Sequence, residues 1–436
     1  MKLMLMVGLT TIAVAAHTQD AGFVDHGVGA PVAESRGLVV AQDATGQPLL
    51  IALSTDRSPR GWILLIDPMT GSVEQFYYPE GVPNSDPFAS LMSANGRFYT
   101  FAGKVLLEFD PAAKQWLFHG TPAPSEACVT GSAVIDGPGG LIFAGTYPNC
   151  RLVSYDPATQ QMRDHGQLDE AEHYVNTMAA DDAGWIYAGI GTARQNVVAM
   201  NPQTGERVQI PTEDLRAVGS GIVRLGSDGQ VYGHVGGTWW RLHEGKAEVI
   251  AADQLPPAAP TGSIGWGQRD ATLPDGTRVR LTLPDRYITI TPPEGEPRRV
   301  EFDYESGGAN ITSLALGPDG SIYASTSHPM HLVRYDPAAG ELTDLGAVPQ
   351  VGGGNFCAMA AAGDALYAGA YGGGHFYRYD PSLPWSPDTG DAPNPVAIAQ
   401  YKQDFCRPRA CVADPTERWI VAGGYAGYGL CGGGLV

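Results

Sequence analysis

Short segments in which apolar and polar residues alternate follow one another along nearly the whole chain. Between 311 and 346, the strings ITSLALG, SIYAST, HLVRY and ELTDLG are separated from one another by turns that contain Gly or Pro. Alternation over such short lengths predicts β-strands, because successive side chains of a strand point to opposite faces of the sheet. No stretch is long and periodic enough to predict a helix, so we expect an all-β protein.

A turn that begins with Asp-Pro or Asn-Pro recurs and reveals an internal repeat. Its first residue lies at Asp67, Asp110, Asp156, Asn201, Asp336 and Asp380. The steps are about 45 residues, and one gap of roughly three steps contains two degenerate copies, at 229–250 and 276–302. Each copy holds four predicted strands in an antiparallel order. Four strands in about 45 residues are typical of one blade of a β-propeller.

The two ends of the chain are expected to complete one blade together. Residues 22–29 resemble the fourth strands of other copies, whereas the C-terminal copy supplies only three strands. We therefore predict a single β-propeller over 22–436, with roughly seven to nine four-stranded antiparallel blades, eight being favoured, closed by an N-terminal strand. The final GGGLV stops where other copies continue into a turn, as expected of a chain that is incomplete at its C-terminus.

The N-terminus and the charge restrict the location and the partners. Residues 1–16 place one Lys before a short apolar run and end with the small residues typical of a signal peptide, which predicts a secreted or periplasmic protein. The formal charge of −19 repels phosphate backbones and anionic lipid headgroups. We therefore expect neither nucleic acid nor a membrane as partner, but a monomer that binds an extracellular glycan.

Six cysteines in an oxidising compartment favour disulfides. Superposition of the copies places Cys128 and Cys406 before a first strand, and Cys150 and Cys431 between the second and third strands of the same copies. This predicts the bridges Cys128–Cys150 and Cys406–Cys431. The other two cysteines fall inside first strands of adjacent copies, where they form either a third bridge or two buried thiols.

Polar residues that depart from the Gly, Ser and Thr of the repeat mark candidate chemistry. In the fourth copy these are Glu172, His173, Tyr174 and Asn176 before the first strand, and Arg194 between the second and third strands. Removal of a proton next to a carboxylate needs a base, a proton donor and a cation. We assign these catalytic roles to His173, Tyr174 and Arg194, with Asn176 binding substrate. The alternative is that all are ordinary polar residues at the rim.

A second candidate group lies in the last two copies. Tyr371 and His375 of one copy are predicted to share a face with Arg407 and Arg409 of the next. Planar guanidinium groups suit a sugar that carries a carboxylate, although salt bridges with the acidic surface are equally expected. His375 has a counterpart one repeat earlier, His331, but no carboxylate accompanies the two. We therefore predict sugar binding here, without a metal site or a cofactor.

The turn strings DPATQ at 156–160 and GPDGSIYAS at 317–325 point to a family. They resemble those of secreted bacterial propellers that include streptogramin-lyase-like proteins and the propeller polysaccharide lyases acting on ulvan and related uronate-containing glycans. The resemblance implies a His and Tyr acid–base pair and an Arg that holds the uronate carboxylate, for which Tyr174 and Arg194 are the nearest positions.

This resemblance implies a carbohydrate-active lyase that cleaves a uronate-containing polysaccharide by β-elimination. One alternative is a non-enzymatic propeller that binds carbohydrate or protein. Another is a lactonase or a streptogramin-type lyase with a divalent cation. That enzyme would need a central ring of carboxylate and amide ligands, which we do not find in the sequence.

Overall fold

The chain forms an all-β structure. The computed structural model describes residues 22–123, 128–348, 354–387, 392–402, 405–427 and 430–436, and of 128–132 only the backbone. Within these residues, the only helical segments are three short 3-10 turns, and no helix is long and apolar enough to cross a membrane. The all-β prediction is confirmed, whereas the predicted signal peptide lies outside the described residues.

The first four sheets are antiparallel meanders in which each strand pairs with the next. Their strands are, in sheet 1, β1 (Glu34–Gln42), β2 (Pro48–Thr55), β3 (Trp62–Ile66) and β4 (Val73–Tyr77); in sheet 2, β5 (Ala89–Met92), β6 (Phe98–Ala102), β7 (Val105–Asp110) and β8 (Gln115–Gly120); in sheet 3, β9 (Cys128–Asp136), β10 (Ile142–Pro148), β11 (Arg151–Asp156) and β12 (Gln161–Gln167); and in sheet 4, β13 (Val175–Ala180), β14 (Ile186–Thr192), β15 (Asn196–Met200) and β16 (Arg207–Gln209). The short β17 (Gly219–Ser220) pairs with β14.

Sheets 5 to 8 repeat this meander, and sheet 9 has three strands. The strands are, in sheet 5, β18 (Ile222–Leu225), β19 (Val231–Val235), β20 (Thr238–His243) and β21 (Lys246–Ile250); then β22 (Ser263–Gly265), which joins sheet 2; in sheet 6, β23 (Asp270–Thr272), β24 (Arg278–Thr282), β25 (Tyr287–Thr291) and β26 (Arg298–Glu301); in sheet 7, β27 (Asn310–Leu316), β28 (Ile322–Ser327), β29 (His331–Asp336) and β30 (Glu341–Ala347); in sheet 8, β31 (Phe356–Ala362), β32 (Ala365–Ala370), β33 (His375–Tyr379) and β34 (Val396–Gln400); and in sheet 9, β35 (Arg407–Ala413), β36 (Ile420–Tyr425) and β37 (Gly433–Leu435). The 3-10 turns span Pro138–Gly140, Glu213–Leu215 and Ala252–Gln254. Sheets 5 and 6 are the two degenerate copies that the sequence predicts.

The Asp-Pro turns join the third and fourth strands of a sheet. Asp67 accepts the backbone N–H of Met69 and the hydroxyl of Thr70, both at 2.7 Å. Asp156 accepts the hydroxyl of Thr159 at 2.8 Å, and this bond lowers the pKa of the Asp156 carboxyl. The side chain thus supplies the acceptors that the turn needs, which explains why Asp or Asn opens this turn in six of the copies.

The sheets pack face to face through their first strands. β9 lies between β5 and β13, and β13 lies between β9 and β18, so sheets 2 to 5 are neighbours in chain order. β27, β31 and β35 likewise place sheets 7, 8 and 9 side by side. Buried side chains fill the space between neighbours, as Phe143 of sheet 3 and Ile186 of sheet 4 do. Four-stranded meanders packed in this way are the units of a β-propeller.

Sheet 6 departs from this order and packs on sheet 1. Leu50 and Leu64 of sheet 1 share one buried cluster with Leu281 and Ile288 of sheet 6. The cause is the connection from sheet 5, in which β22 pairs with β5 of sheet 2 before the chain reaches β23. The described residues form nine sheets, and their closure into one ring and the number of its blades stay predictions.

The prediction that an N-terminal strand completes sheet 9 is wrong for the described structure. Residues 22–33 form no strand. The ring of His26 packs on that of Tyr335 in sheet 7 with 4.4 Å between centroids, and the carbonyl of Ala30 accepts the N–H of Ala309 at 2.9 Å. Ala30 is buried in a cluster with Val333 of sheet 7, and this apolar contact holds the segment away from sheet 9.

The predicted bridge between Cys406 and Cys431 is also absent. Cys406 is buried, and its N–H donates to the carbonyl of Tyr425 at 2.9 Å, whereas Cys431 is exposed in the segment before β37. One thiol is thus buried and the other is exposed, and both are free. Cys357 and Cys411 are free thiols as well.

Cys150 is a buried free thiol, so the structure does not show the second predicted bridge either. The backbone of Cys128 pairs with Pro148, two residues before Cys150, but the side chain of Cys128 lies outside the described part of the chain. The Cys128–Cys150 bridge stays a prediction.

Candidate functional site

One edge of the sheets carries the candidate residues. We call the upper face the side at which first strands begin and at which second strands connect to third strands. In sheet 4, Tyr174 precedes β13, Arg194 lies between β14 and β15, and the N–H of Gly191 donates to the carbonyl of Tyr174 at 3.3 Å. The prediction that these two segments share an edge therefore holds in sheet 4.

Two of the polar residues predicted there serve the backbone. Glu172 is buried, and its carboxylate accepts the N–H of Thr192 at 2.7 Å, which fixes the loop after β14. The Asn176 amide donates to the carbonyl of Gly191 at 3.0 Å and to the hydroxyl of Ser220 at 2.9 Å. These contacts make both residues supports of the loops that carry the more exposed side chains.

His173 and Tyr174 lie against the loop of sheet 3. Nδ1 of the exposed His173 is 2.8 Å from the carbonyl oxygen of Pro148, and because a carbonyl only accepts, Nδ1 must carry the proton. In the neutral ring the lone pair is then on Nε2. The ring of Tyr174 stacks on that of Tyr147, with 4.4 Å between centroids and 24° between planes. Together the two residues form a polar and aromatic surface between sheets 3 and 4.

Arg194 points away from this surface. Its Nη2 atom is 2.8 Å from Oε2 of Glu213 and 3.1 Å from the Glu213 carbonyl oxygen, in the segment between sheets 4 and 5. Hydrogen bonds from Gln209 and Arg216, together with the charge of Arg194, lower the pKa of Glu213 to about 2. Glu213 therefore stays ionised at ordinary pH, and the cation expected to hold a substrate carboxylate already pairs with one from the protein.

Substitution of Glu213 tests whether this pair competes with ligand. We expect Glu213→Gln to strengthen the binding of an acidic oligosaccharide by up to about fivefold, since an exposed ion pair is worth about 1 kcal/mol or less. Isothermal titration of the variant and the wild type measures the change. Glu206→Gln removes the same charge from a nearby turn without touching Arg194, and an equal gain in that control would mean that only net charge matters.

Sheets 8 and 9 bring together two members of the second predicted group, Arg407 and Tyr371, and place a third, Arg409, beside Tyr425. The guanidinium carbon of Arg407 lies 5.5 Å from the ring centroid of Tyr371, and that of Arg409 lies 5.4 Å from that of Tyr425. Arg409 is exposed and forms no ion pair with a carboxylate of the described residues. It is also the extra residue of a bulge between Pro408 and Ala410, which interrupts the alternation of β35.

The two histidines of this region are buried. His375 is buried at the start of β33, and burial lowers its pKa. His331 is buried too, and its Nδ1 atom is 2.9 Å from both carboxylate oxygens of Asp344. Arg151 and Asp164 form the same cross-strand pair in sheet 3, so His331 fills a position that the repeat uses to link the third and fourth strands.

A charged cluster on sheets 1, 2 and 6 escaped the sequence analysis. Arg36 contacts Asp86 at 2.6 Å and Glu34 at 3.8 Å, and Arg269 contacts Glu34 at 3.5 Å. The guanidinium of Arg36 lies over the ring of Trp266, 5.6 Å from its centroid. Trp266 is the one aromatic residue of this cluster. Its 54% exposure excludes the core.

A cavity of about 610 Å³ lies at the centre of sheets 2 to 5, between β5, β9, β13, β18 and the segment that contains β22. Its wall is largely apolar, and the polar side chains on it include those of Asp136, Asn176 and Arg224. The described residues contain no group of three or more His, Cys, Asp or Glu placed to hold a metal ion.

Comparisons with known proteins give no family for the chain. No protein-family model matches it, and no curated protein does. Among solved structures, it is similar to a streptogramin B lyase at 12% identity over 69% of this chain and 93% of that one, with a TM-score of 0.38. A virginiamycin B lyase from Staphylococcus aureus is 11% identical over 78% of this chain and 92% of that one, with a TM-score of 0.31.

A periplasmic gluconolactonase from Pseudomonas aeruginosa is 16% identical over 74% of this chain and 97% of that one, with a TM-score of 0.33. An extracellular domain of a putative one-component system from B. thetaiotaomicron is 11% identical over 91% of this chain and 64% of that one, with a TM-score of 0.29. Similarity at this level assigns no activity, so the function has to be inferred from the chain's own residues.

Proposed function

We propose that the protein is an exported, monomeric β-propeller that binds an acidic carbohydrate on its upper face. The observation that carries this proposal is Arg409, which is exposed, stacked near Tyr425 and not paired with a carboxylate of the described residues. A ring face fixes the plane of a guanidinium, and the N–H groups in that plane match the two oxygens of a carboxylate. The export of the protein rests on the sequence of residues 1–16.

The neighbouring side chains suit a sugar acid. Arg407 adds a second cation two positions before Arg409 and contacts Tyr371 of sheet 8. The aromatic rings offer apolar surface for the C–H groups of a pyranose, while the cations offer donors for its carboxylate. On a protein with a charge of −19, such a local excess of cations is what an anionic ligand requires.

Affinity electrophoresis tests the proposal. We expect the native protein to be retarded in gels that contain polygalacturonate or alginate, and to migrate unchanged in gels that contain neutral dextran. Loss of the retardation in an Arg407→Ala/Arg409→Ala variant with unchanged melting temperature would assign binding to these two residues. Equal migration of the wild type in all gels would contradict the proposal.

β-Elimination of a uronate glycan is a second candidate, favoured by the tautomer of His173. Its exposed Nε2 atom is suited to remove the proton next to the uronate carboxylate. The electron pair of that C–H bond forms the new C=C bond, the glycosidic C–O bond breaks, and the leaving oxygen takes a proton from the Tyr174 hydroxyl. Arg194 would neutralise the carboxylate only after it leaves Glu213.

The ultraviolet absorbance of unsaturated uronate products distinguishes the two candidates. A lyase should release such products from polygalacturonate, alginate or ulvan, and His173→Ala should reduce the rate by at least about a hundredfold. If the protein binds these glycans but releases no unsaturated product, it is a propeller that binds carbohydrate without cleaving it.

A further inference from the structure

The charged cluster at the upper ends of sheets 1, 2 and 6 is built like a binding site. We call Glu34, Arg36, Asp86, Trp266 and Arg269 the Trp266 shelf. Arg36 is buried and forms ion pairs with Asp86 at 2.6 Å and with Glu34 at 3.8 Å, and Arg269 lies 3.5 Å from Glu34. Two cations and two carboxylates balance one another, so the shelf has no excess charge with which to attract an ion.

Trp266 is the exposed aromatic residue of the shelf. The Arg36 guanidinium lies over its ring, 5.6 Å from the centroid. The backbone N–H of Trp266 donates to the carbonyl of Phe88 at 2.9 Å, which fixes the backbone at this position. A tryptophan at the edge of a core normally buries its indole, yet 54% of Trp266 is exposed. The ring is therefore held in place without being covered.

Two guanidinium groups of the shelf have unused hydrogen-bonding capacity. The Nε atoms of Arg36 and Arg269 are buried and have no hydrogen-bond partner among the described residues. Each such donor costs free energy in the unliganded protein, and groups of this kind are uncommon in folded proteins. The side chains of Asp86 and Arg269 are 40% and 34% exposed, so the shelf leaves an acceptor and a donor accessible to solvent.

We propose that the Trp266 shelf binds a neutral hexopyranose. The C–H face of the sugar stacks on the exposed ring of Trp266, and its hydroxyl groups donate to the carboxylate of Asp86 and accept from the guanidinium of Arg269. The balanced charge of the shelf favours a neutral sugar over a uronate. This site is separate from Arg407 and Arg409 and does not depend on the acid-binding function proposed above.

Isothermal titration with neutral hexasaccharides tests the shelf, with laminarihexaose, mannohexaose and xylohexaose as probes. We expect at least one probe made of hexose units to bind the native protein. Trp266→Ala should weaken that binding by at least about tenfold, because an aromatic anchor at a binding site contributes that much or more. Trp266→Phe should retain most of it. The melting temperature of both variants should stay close to that of the wild type, since the side chain is half exposed.

A second exposed tryptophan supplies the matched control. Trp419 of sheet 9 is 67% exposed, so Trp419→Ala removes a comparable ring elsewhere and should not change the affinity. Absence of binding by all three probes, or equal losses in the Trp266 and Trp419 variants, would overturn the proposal. Binding of polygalacturonate by Trp266→Ala should remain at the wild-type level, so the outcome for the shelf is independent of the outcome for the acid site.

Discussion

Arg409→Ala is expected to weaken the binding of an acidic oligosaccharide by roughly thirtyfold. A charge-assisted hydrogen-bond pair between guanidinium and carboxylate is worth about 2 kcal/mol, which corresponds to that factor. Because Arg409 is exposed and lies beside Tyr425 at the start of sheet 9, its removal should not disturb the packing of the sheet. Isothermal titration with trigalacturonate measures the loss, and thermal unfolding checks that the fold is intact.

Two further variants separate geometry from charge. Arg409→Lys keeps the charge but loses the planar donor pair, so its affinity should fall between those of the wild type and Arg409→Ala. Arg241→Ala removes an exposed arginine that pairs with Glu248 in sheet 5, and it should bind as the wild type does. If Arg241→Ala weakened binding as strongly as Arg409→Ala, the ligand would be responding to the net charge of the protein.

Asp56→Ala is expected to lower the free energy of unfolding by about 4 kcal/mol. Asp56 is buried, and its carboxylate accepts hydrogen bonds from the hydroxyl of Ser306 at 2.8 Å, the N–H of Gly307 at 3.1 Å and the N–H and hydroxyl of Ser58 at 2.9 and 2.8 Å. These bonds tie the chain entering sheet 7 to the loop after β2. Alanine would leave several buried donors without an acceptor, and each such donor costs about 1–3 kcal/mol.

Urea-induced unfolding measures this loss of free energy of unfolding, and a substitution in an exposed turn serves as the control. Asp43→Ala removes a carboxylate that also accepts several hydrogen bonds, from Thr45 and Gln47, but in an exposed turn, so it should cost about 1 kcal/mol or less. Asp56→Asn keeps one acceptor oxygen, so its loss of free energy of unfolding should lie between those of Asp56→Ala and Asp43→Ala. Similar losses for Asp56→Ala and Asp43→Ala would show that the link between sheets 1 and 7 contributes little.

The sequence was sufficient to predict the repeating sheets, because their signal is local. Alternation within each strand and the acceptor role of the aspartate in turns such as that of Asp67 depend on neighbouring residues only. The packing of sheet 6 on sheet 1 could not be predicted in this way. It depends on the pairing of β22 with β5, which joins residues more than a hundred positions apart in the chain.

In the candidate sites, too, the features that depend on neighbouring residues could be predicted, whereas contacts between distant residues could not. Superposition of copies places His173, Tyr174 and Arg194 at one edge, but it cannot show that Arg194 pairs with Glu213, because Glu213 lies in an insertion outside the repeat. The Trp266 shelf was missed because Glu34, Asp86 and Arg269 come from three different copies. None of them stands out within its own copy, and their proximity follows only from the packing of sheets 1, 2 and 6.

The central claim is that the upper face recognises the carboxylate of a sugar acid. Isothermal titration of the native protein with trigalacturonate and with its methyl ester tests it most directly, since the two ligands share every ring and linkage and differ in the charge of the carboxyl groups. We predict measurable binding of the acid and at least a tenfold weaker affinity for the ester, about 1.4 kcal/mol or more in free energy. Equal affinity for the two ligands, or no binding of the acid, would contradict the account.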